Sequence, residues 1–165
     1  MQALAKADRD LQAIEAATEI GVDEVVPWAA ERSIADWPAK MRDNLAAKWD
    51  NVLGAASLQA RRAGFPLRHD LVRGTGLAGA LSEGDTVYVL HEAAELKLSQ
   101  ALSRFDAGSD RIVLVVGPEG GISDAELEAL SAIGADTVLL GPTVLRSSSA
   151  GAAGLVMAQN SLGRW

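Results

Sequence analysis

The 165-residue chain contains no cysteine, so disulfide bonds and thiolate metal sites are excluded. It also lacks an apolar run approaching the roughly 18 residues of a membrane-spanning helix, and its N-terminal residues hold no apolar stretch long enough for a signal peptide. These absences fit a reducing compartment and predict a cytoplasmic protein that needs no membrane.

Positive charge is scarce, because 15 Lys and Arg face 22 Asp and Glu, which gives a formal net charge of −7. Such a chain is not expected to bind nucleic acid by general attraction, since phosphate neutralisation needs clustered cations. Residues 1–73 nevertheless carry ten basic against eleven acidic residues, whereas residues 74–165 carry five against eleven. The basic residues of the first part form either a solvated helix face or an RNA-facing patch: Arg32, Lys40, Arg42, Lys48, Arg61, Arg62, Arg68 and Arg73.

Apolar residues at helical spacing alternate with short apolar runs along the chain, which is typical of an α/β protein. Helices are predicted around 11–17, over 38–62, over 96–105, over 124–133 behind a Ser123 capping box, and over 150–163. Gly21 is placed to end the first helix, and Trp49 is expected in the core.

Strands are predicted over 22–27, 86–90, 112–116 and 137–140, with a loosely structured, glycine-rich connection over 74–79. The length suits one domain, and neither a repeat nor a low-complexity linker divides the chain. The sequence therefore predicts one α/β domain over 1–165, built on a mostly parallel sheet with helices on both faces.

Two of these predicted strands are followed directly by loops that begin with Gly-Pro. Residues 112–116 lead into Gly117-Pro118-Glu119-Gly120-Gly121, and residues 137–140 lead into Gly141-Pro142 and the segment up to Ala150. Ligands of open α/β sheets bind at the carboxyl ends of such strands, so the two loops are expected to share one pocket. The strand that ends at Leu90 supplies His91 and Glu92 as a third candidate loop.

The sequence does not contain the motifs of several common cofactor-binding, metal-binding and hydrolase sites. The glycines lack the G-x-G-x-x-G spacing, and no G-K-[ST] follows them, so a dinucleotide fingerprint and a P-loop are unsupported. His69 and His91 have no acidic companion at metal spacing, and no metal is expected. A serine hydrolase is disfavoured because none of residues 147–149 lies in a G-x-S-x-G elbow.

The loop motifs and an upstream block over 16–22, with Pro27 shortly after, resemble the SPOUT methyltransferases and, within them, the RsmE type. That type methylates a uridine of small-subunit ribosomal RNA. The three motifs occur in the right order and span nearly the whole chain. One departure is that the family often has Thr-Glu-Thr where this chain has Ser147-Ser148-Ser149, so a role of that glutamate is not carried over to Ser148.

The resemblance implies S-adenosylmethionine as the cofactor, bound in a C-terminal deep trefoil knot. Glycines let the backbone approach such a ligand closely, and apolar residues flank an adenine. The residues expected to bind the cofactor are Leu90, His91, Glu92, Gly117, Pro118, Glu119, Gly120, Gly121, Leu140, Gly141, Pro142, Val144, Leu145, Arg146, Ser147, Ser148 and Ala150.

The acceptor implied by the resemblance is N3 of a uracil, where anionic character in the transition state must be stabilised. Arg146 is the candidate to stabilise this negative charge, either by placing its positive charge beside the uracil oxygens or by binding a phosphate. Glu119 is a candidate to orient Arg146 or accept a proton, unless it only favours the dipole of the following helix.

The resemblance also implies a homodimer, ribosomal RNA as partner and an N-terminal PUA-like domain, which this chain is expected to lack. The small residues of the last helix suit close approach to a knot, to a second subunit, or to an ordinary core. Two other functions stay open. One is a remnant that binds the nucleoside cofactor without catalysis, and the other is a SPOUT enzyme that methylates a ribose 2′-hydroxyl.

Overall fold

The computed structural model of the chain describes residues 1–105 and 111–165. Within these ranges the strands are β1 (Gln2–Ala3), β2 (Glu24–Val25), β3 (Pro27–Ala29), β4 (Leu67–Arg68), β5 (Val72–Arg73), β6 (Asp85–Leu90), β7 (Arg111–Val116) and β8 (Asp136–Val138). Six of them form one sheet in the order β5-β3-β1-β7-β6-β8, and β2 pairs separately with β4. Each strand pair among the described residues is parallel, which confirms the predicted sheet.

The helices of the described ranges are α1 (Arg9–Ile20), α2 (Arg42–Gln59), α3 (Leu98–Leu102), α4 (Asp124–Ala132) and α5 (Ser147–Ser161). Two 3₁₀ helices cover Ala39–Met41 and Gly74–Ala80. Gly21 ends α1 with a φ of 110°, as predicted, and its amide donates to the carbonyl of Ala17. No helix in the described part of the chain has both the length and the apolar character needed to cross a bilayer.

The two faces of the sheet are covered by different helices because side chains alternate along each strand. From β6, Val87 and Val89 enter a core that includes Leu130 of α4 and Leu77 of the second 3₁₀ helix. Tyr88 points the other way and packs in a core formed with α3 and α5. The prediction of helices on both faces is therefore confirmed.

A third core lies between α1 and α2 and contains Trp49, which is 1% exposed. The Trp49 ring meets Trp37 edge to face, with the ring centroids 5.5 Å apart. The indole Nε1 of Trp49 donates to Asp10 at 3.3 Å, and burial raises the pKa of the Asp10 carboxyl. The expectation that Trp49 belongs to the core is confirmed.

The structure corrects several predicted boundaries. The segment predicted as one strand over 22–27 is divided between β2 and β3, which belong to different sheets. The connection over 74–79 is a 3₁₀ helix rather than a loose loop. The predicted helix over 96–105 shrinks to α3, whereas the last helix begins three residues early, at Ser147. The very short β1, β4 and β5 were not predicted, because two residues carry no periodic signal.

The small residues of α5 permit close packing against the chain's own sheet. A Cβ at Gly151 would lie 3.3 Å from the side chain of Val116, and a Cβ at Gly154 would lie 3.2 Å from Leu114. Ala158 is buried in the core shared with α3. These glycines are thus explained by an internal interface, and they give no separate support to a subunit interface.

A charged pair joins the amino-terminal ends of β6 and β7. Arg111 donates from Nε and Nη2 to the two oxygens of Asp85, both at 2.8 Å, and the Asp85 side chain is fully buried. The hydrogen bonds from Arg111 hold the pKa of Asp85 below its usual range. Since the folded-state pKa is the lower one, the carboxylate stabilises the fold above about pH 4, and this contribution is lost as the pH falls through the folded-state pKa.

We therefore expect Asp85→Asn to lower the free energy of unfolding by about 1–3 kcal/mol at pH 7, because Arg111 loses a charged acceptor. Near pH 2 the loss should be smaller, because the contribution of the ionised carboxylate declines below the ordinary carboxyl pKa of about 4. Urea unfolding at the two pH values measures both. Glu83→Gln, at an exposed acid in the turn before β6, is the matched control. An equal loss for Asp85→Asn at both pH values would contradict this account.

Candidate functional site

The carboxyl ends of three neighbouring strands meet at one edge of the sheet. Leu90, the last residue of β6, is in register with Val116 of β7 on one side and with Val138 of β8 on the other. The loops that follow these strands therefore leave the sheet side by side, as the sequence predicted.

The three loops enclose a cavity of about 820 Å³, within the range of small-molecule sites. Every residue predicted to bind the cofactor lines this cavity except Ser148. The exception has a geometric reason. Ser147 and Ala150 are three positions apart on α5 and share the face that borders the cavity, whereas Ser148 lies about 100° further round the helix.

Sequence reasoning missed Arg32 as a cavity residue. Arg32 lies in the loop after β3, at the same edge of the sheet, and borders the cavity beside the Gly120-Gly121 turn. The sequence placed Arg32 only in a general basic patch, because the strand before it was predicted to end at Pro27. A strand ending at Ala29 would have put Arg32 in a strand-end loop.

The glycines of the two main loops have different reasons to be small. A Cβ at Gly117 would lie 2.6 Å from the Ile122 side chain, and a Cβ at Gly120 would lie 2.8 Å from the carbonyl oxygen of Arg32. Gly121 has a φ of 78°, which disfavours a side chain. Only Gly141 faces open space, with no atom within 4 Å of its Cβ position among the described residues. The glycines at 117 and 120 are therefore required by the chain's own packing, and their expected role in ligand approach stays a prediction.

A fully buried carboxylate fixes the loop that contains Gly120 against the loop that contains Arg32. One oxygen of Glu126 accepts the amide of Ser123 at 2.9 Å, which completes the predicted capping box of α4. The other oxygen accepts the amide of Glu31 at 2.8 Å, and Glu126 is 0% exposed. Glu126 therefore connects two loops that are far apart in sequence.

The two predicted catalytic residues both line the cavity, but they do not pair with each other. Glu119 accepts a hydrogen bond from Arg9 at 3.2 Å, in an ion pair that is partly exposed. The suggestion that Glu119 orients Arg146 is therefore corrected. The guanidinium of Arg146 has no hydrogen-bond or ion-pair partner within residues 1–105 and 111–165, so it is available to an anionic ligand.

The beginning of α5 borders the cavity and contains a buried hydroxyl without a partner. Ser147 is 7% exposed, and its Oγ has no hydrogen-bond partner in the described part of the chain. The amides of Ser149 and Ala150 donate to the carbonyl of Arg146, so the two preceding amides are left without helical acceptors. A buried hydroxyl without a partner is costly in a folded protein.

A second cavity, of about 500 Å³, lies away from the strand ends, between α1, α5 and the sheet. Its walls are largely apolar, and Glu24, His69 and Arg111 form a hydrogen-bonded group at its border. Across the described ranges, no three His, Asp or Glu side chains gather as metal ligands would.

The glycine contacts predict a difference between two small substitutions. Gly120→Ala should lower the free energy of unfolding of the ligand-free chain by about 1–3 kcal/mol, because the new Cβ collides with the Arg32 carbonyl. Gly141→Ala is the matched control and should change it by less than about 0.5 kcal/mol. Urea unfolding without added ligand makes the comparison. A Gly120→Ala chain as stable as the parent would show that Arg32 does not restrict this turn.

Comparison with known proteins places this geometry in a family. A model of the RNA methyltransferase domain matches residues 1–159. The ribosomal RNA small subunit methyltransferase E of Mycobacterium bovis is 40% identical over 169 residues, which cover 100% of this chain and 63% of that relative. The chain therefore spans less than two thirds of the length of this relative.

Solved structures share the fold. A probable rRNA-methyltransferase from Porphyromonas gingivalis has a TM-score of 0.73 at 25% identity, over 98% of this chain and 66% of that one. The ribosomal RNA small subunit methyltransferase E of Neisseria gonorrhoeae, bound to S-adenosyl methionine, has a TM-score of 0.85 at 24% identity, over 96% of this chain and 63% of that one. Because the family model matches most of the chain and the mycobacterial relative is 40% identical across all of it, the chain belongs to the RNA methyltransferase domain family.

Proposed function

We propose that the chain binds S-adenosylmethionine in the strand-end cavity and that the protein methylates N3 of a uridine in small-subunit ribosomal RNA. The observation that carries the cofactor assignment is the strand-end cavity itself, which every residue expected to bind the cofactor lines except Ser148. Family membership supports the reaction, as do the name of the mycobacterial relative and the ligand of the Neisseria structure.

The cavity lining fits this cofactor. Gly141 leaves open space for a ligand, and the neighbouring apolar side chains of Leu90, Leu140 and Val144 suit an adenine ring. The free amides at the start of α5 suit a polar group of the ligand. When bound, S-adenosylmethionine supplies an electrophilic methyl group and a neutral thioether as the leaving group.

In the proposed reaction the protein contributes position and charge. Arg146 lines the cavity with a free guanidinium, which suits the negative charge that the uracil oxygens carry after N3 gives its proton to water and before N3 gains the methyl group. Glu119 forms an ion pair with Arg9, which fixes the loop after β7 at the edge of the cavity. Stabilisation of the negative charge is therefore the role of Arg146.

Further parts of the proposal follow from the resemblance. They are a trefoil knot around the cofactor, a homodimer, a cytoplasmic location, and a separate N-terminal domain that grips the ribosomal RNA. The acidic net charge of −7 supports the last of these, because the chain alone offers little general attraction for phosphates.

Cofactor binding predicts a rise in thermal stability. S-adenosylhomocysteine at a hundredfold excess over its dissociation constant should add about 2.7 kcal/mol to the free energy of unfolding. Ser147→Ala should keep or raise the stability of the ligand-free chain, because an unpaired buried hydroxyl is removed. Ser148→Ala, outside the cavity lining, is the control. Thermal melts measure the stability, and calorimetric titration measures the affinity for the ligand. The absence of a melting shift at millimolar ligand would reject the cofactor assignment.

The role of Arg146 is tested in the chain joined to the N-terminal domain that the resemblance implies. Arg146→Ala should lower single-turnover methylation of small-subunit rRNA by about 10²-fold or more, with little change in cofactor affinity. Arg164→Ala, which removes a surface ion pair with Asp23, should change neither. Nucleoside mass spectrometry should find N3-methyluridine. A 2′-O-methylated product, or full turnover by Arg146→Ala, would contradict the proposal.

A further inference from the structure

The strand-end cavity is bordered by two arginines, and they come from opposite halves of the chain. Arg146 belongs to the loop before α5, whereas Arg32 belongs to the loop after β3. Arg32 is exposed, so its guanidinium lies at the mouth of the cavity rather than in its floor. Its position is therefore open to a large ligand that approaches from solvent.

The backbone of Arg32 is fixed by contacts on both sides. The carbonyl oxygen of Arg32 would be 2.8 Å from a Cβ at Gly120, so the arginine and the glycine turn are in direct contact. The preceding amide, of Glu31, donates to the buried carboxylate of Glu126 at 2.8 Å. The following amide, of Ser33, donates to the carbonyl of Ala30 at 2.9 Å. These contacts hold the Arg32 loop at a set distance from the cavity.

Arg32 differs from the other basic residues of the first half in having a free charge at the cavity. Arg68 and Arg73 are paired with carboxylates at 2.6 and 2.7 Å, and Arg62 donates to the carbonyl of Thr18 at 3.0 Å. Arg32 makes one long hydrogen bond, 3.4 Å from Nη1 to the carbonyl of Ile122, and has no carboxylate partner in the described ranges. Most of its donors are therefore unused.

A guanidinium held at a cavity mouth with free donors is suited to bidentate recognition of a phosphate. The carboxylates of Glu92 and Asp124 also line the cavity and favour a cation there, so an anion is best placed at the mouth. On the basis of the proposed function, we propose that Arg32 binds a phosphate of the RNA strand that carries the acceptor nucleotide. This contact sets how far the strand enters the cavity, while the cofactor lies deeper.

The test compares two arginines in the full chain with a short fluorescein-labelled oligouridylate as the probe and S-adenosylhomocysteine in saturating amount. Arg32→Ala should weaken the oligonucleotide roughly tenfold in fluorescence anisotropy, because charge-assisted hydrogen bonds are lost. The slope of log affinity against log salt, measured between about 50 and 200 mM, should fall by about one. Arg32→Lys should recover part of the affinity, because lysine keeps the positive charge but lacks the two parallel N–H donors of the guanidinium.

Arg42→Ala is the matched control, since Arg42 is an exposed arginine of α2 that does not line the cavity, and it should change affinity by less than about twofold. The melting shift with S-adenosylhomocysteine should be the same in both variants and the parent. The proposal is overturned if Arg32→Ala binds the probe as Arg42→Ala does, if the parent binds no probe, or if Arg32→Ala loses the melting shift. Loss of that shift in the parent would instead reject the proposed function, and the probe measurements would still decide the role of Arg32.

Discussion

Parallel alignment of β6, β7 and β8 is the constraint on which the site depends. Because Leu90 is in register with both Val116 and Val138, the three strands end at the same level, and their loops have to share the space beyond the sheet edge. Packing of particular side chains specifies this register, since a shift by one residue would exchange Tyr88 with Val87 or Val89 between the two cores. The cavity is thus a consequence of the strand pairing.

The carboxylate of Glu126 adds a second constraint, because it joins the loop after β7 to the loop after β3 in the first half of the chain. Glu126 is fully buried, and each oxygen accepts a backbone amide, one from its own helix start and one from Glu31. A buried carboxylate is tolerated only when it is hydrogen-bonded in this way. Its contacts bring Arg32 to a cavity whose other lining residues come from the segments 90–92 and 116–150.

The sequence predicted what depends on local or periodic signals. The apolar runs of β6 and β7, the capping box at Ser123 and the left-handed Gly21 all lie where the pattern places them. Contacts between distant residues leave no such signal. The bond between Glu126 and Glu31 joins residues 95 positions apart, the partner of Glu119 is Arg9, and the strand pair β2 and β4 joins two segments of two residues each. The same limit applies to the contact between Gly120 and Arg32, which lie far apart in sequence.

The central claim is that the loops after β7 and β8 form one ligand site, distinct from the smaller cavity between α1, α5 and the sheet. Hydrogen exchange of the chain with and without S-adenosylhomocysteine, followed by mass spectrometry of peptides, tests it most directly. The account predicts slowed exchange in residues 117–121 and 140–147, with little change in residues 13–25 and 155–162. Protection confined to the latter two segments would contradict it, because the ligand would then occupy the smaller cavity.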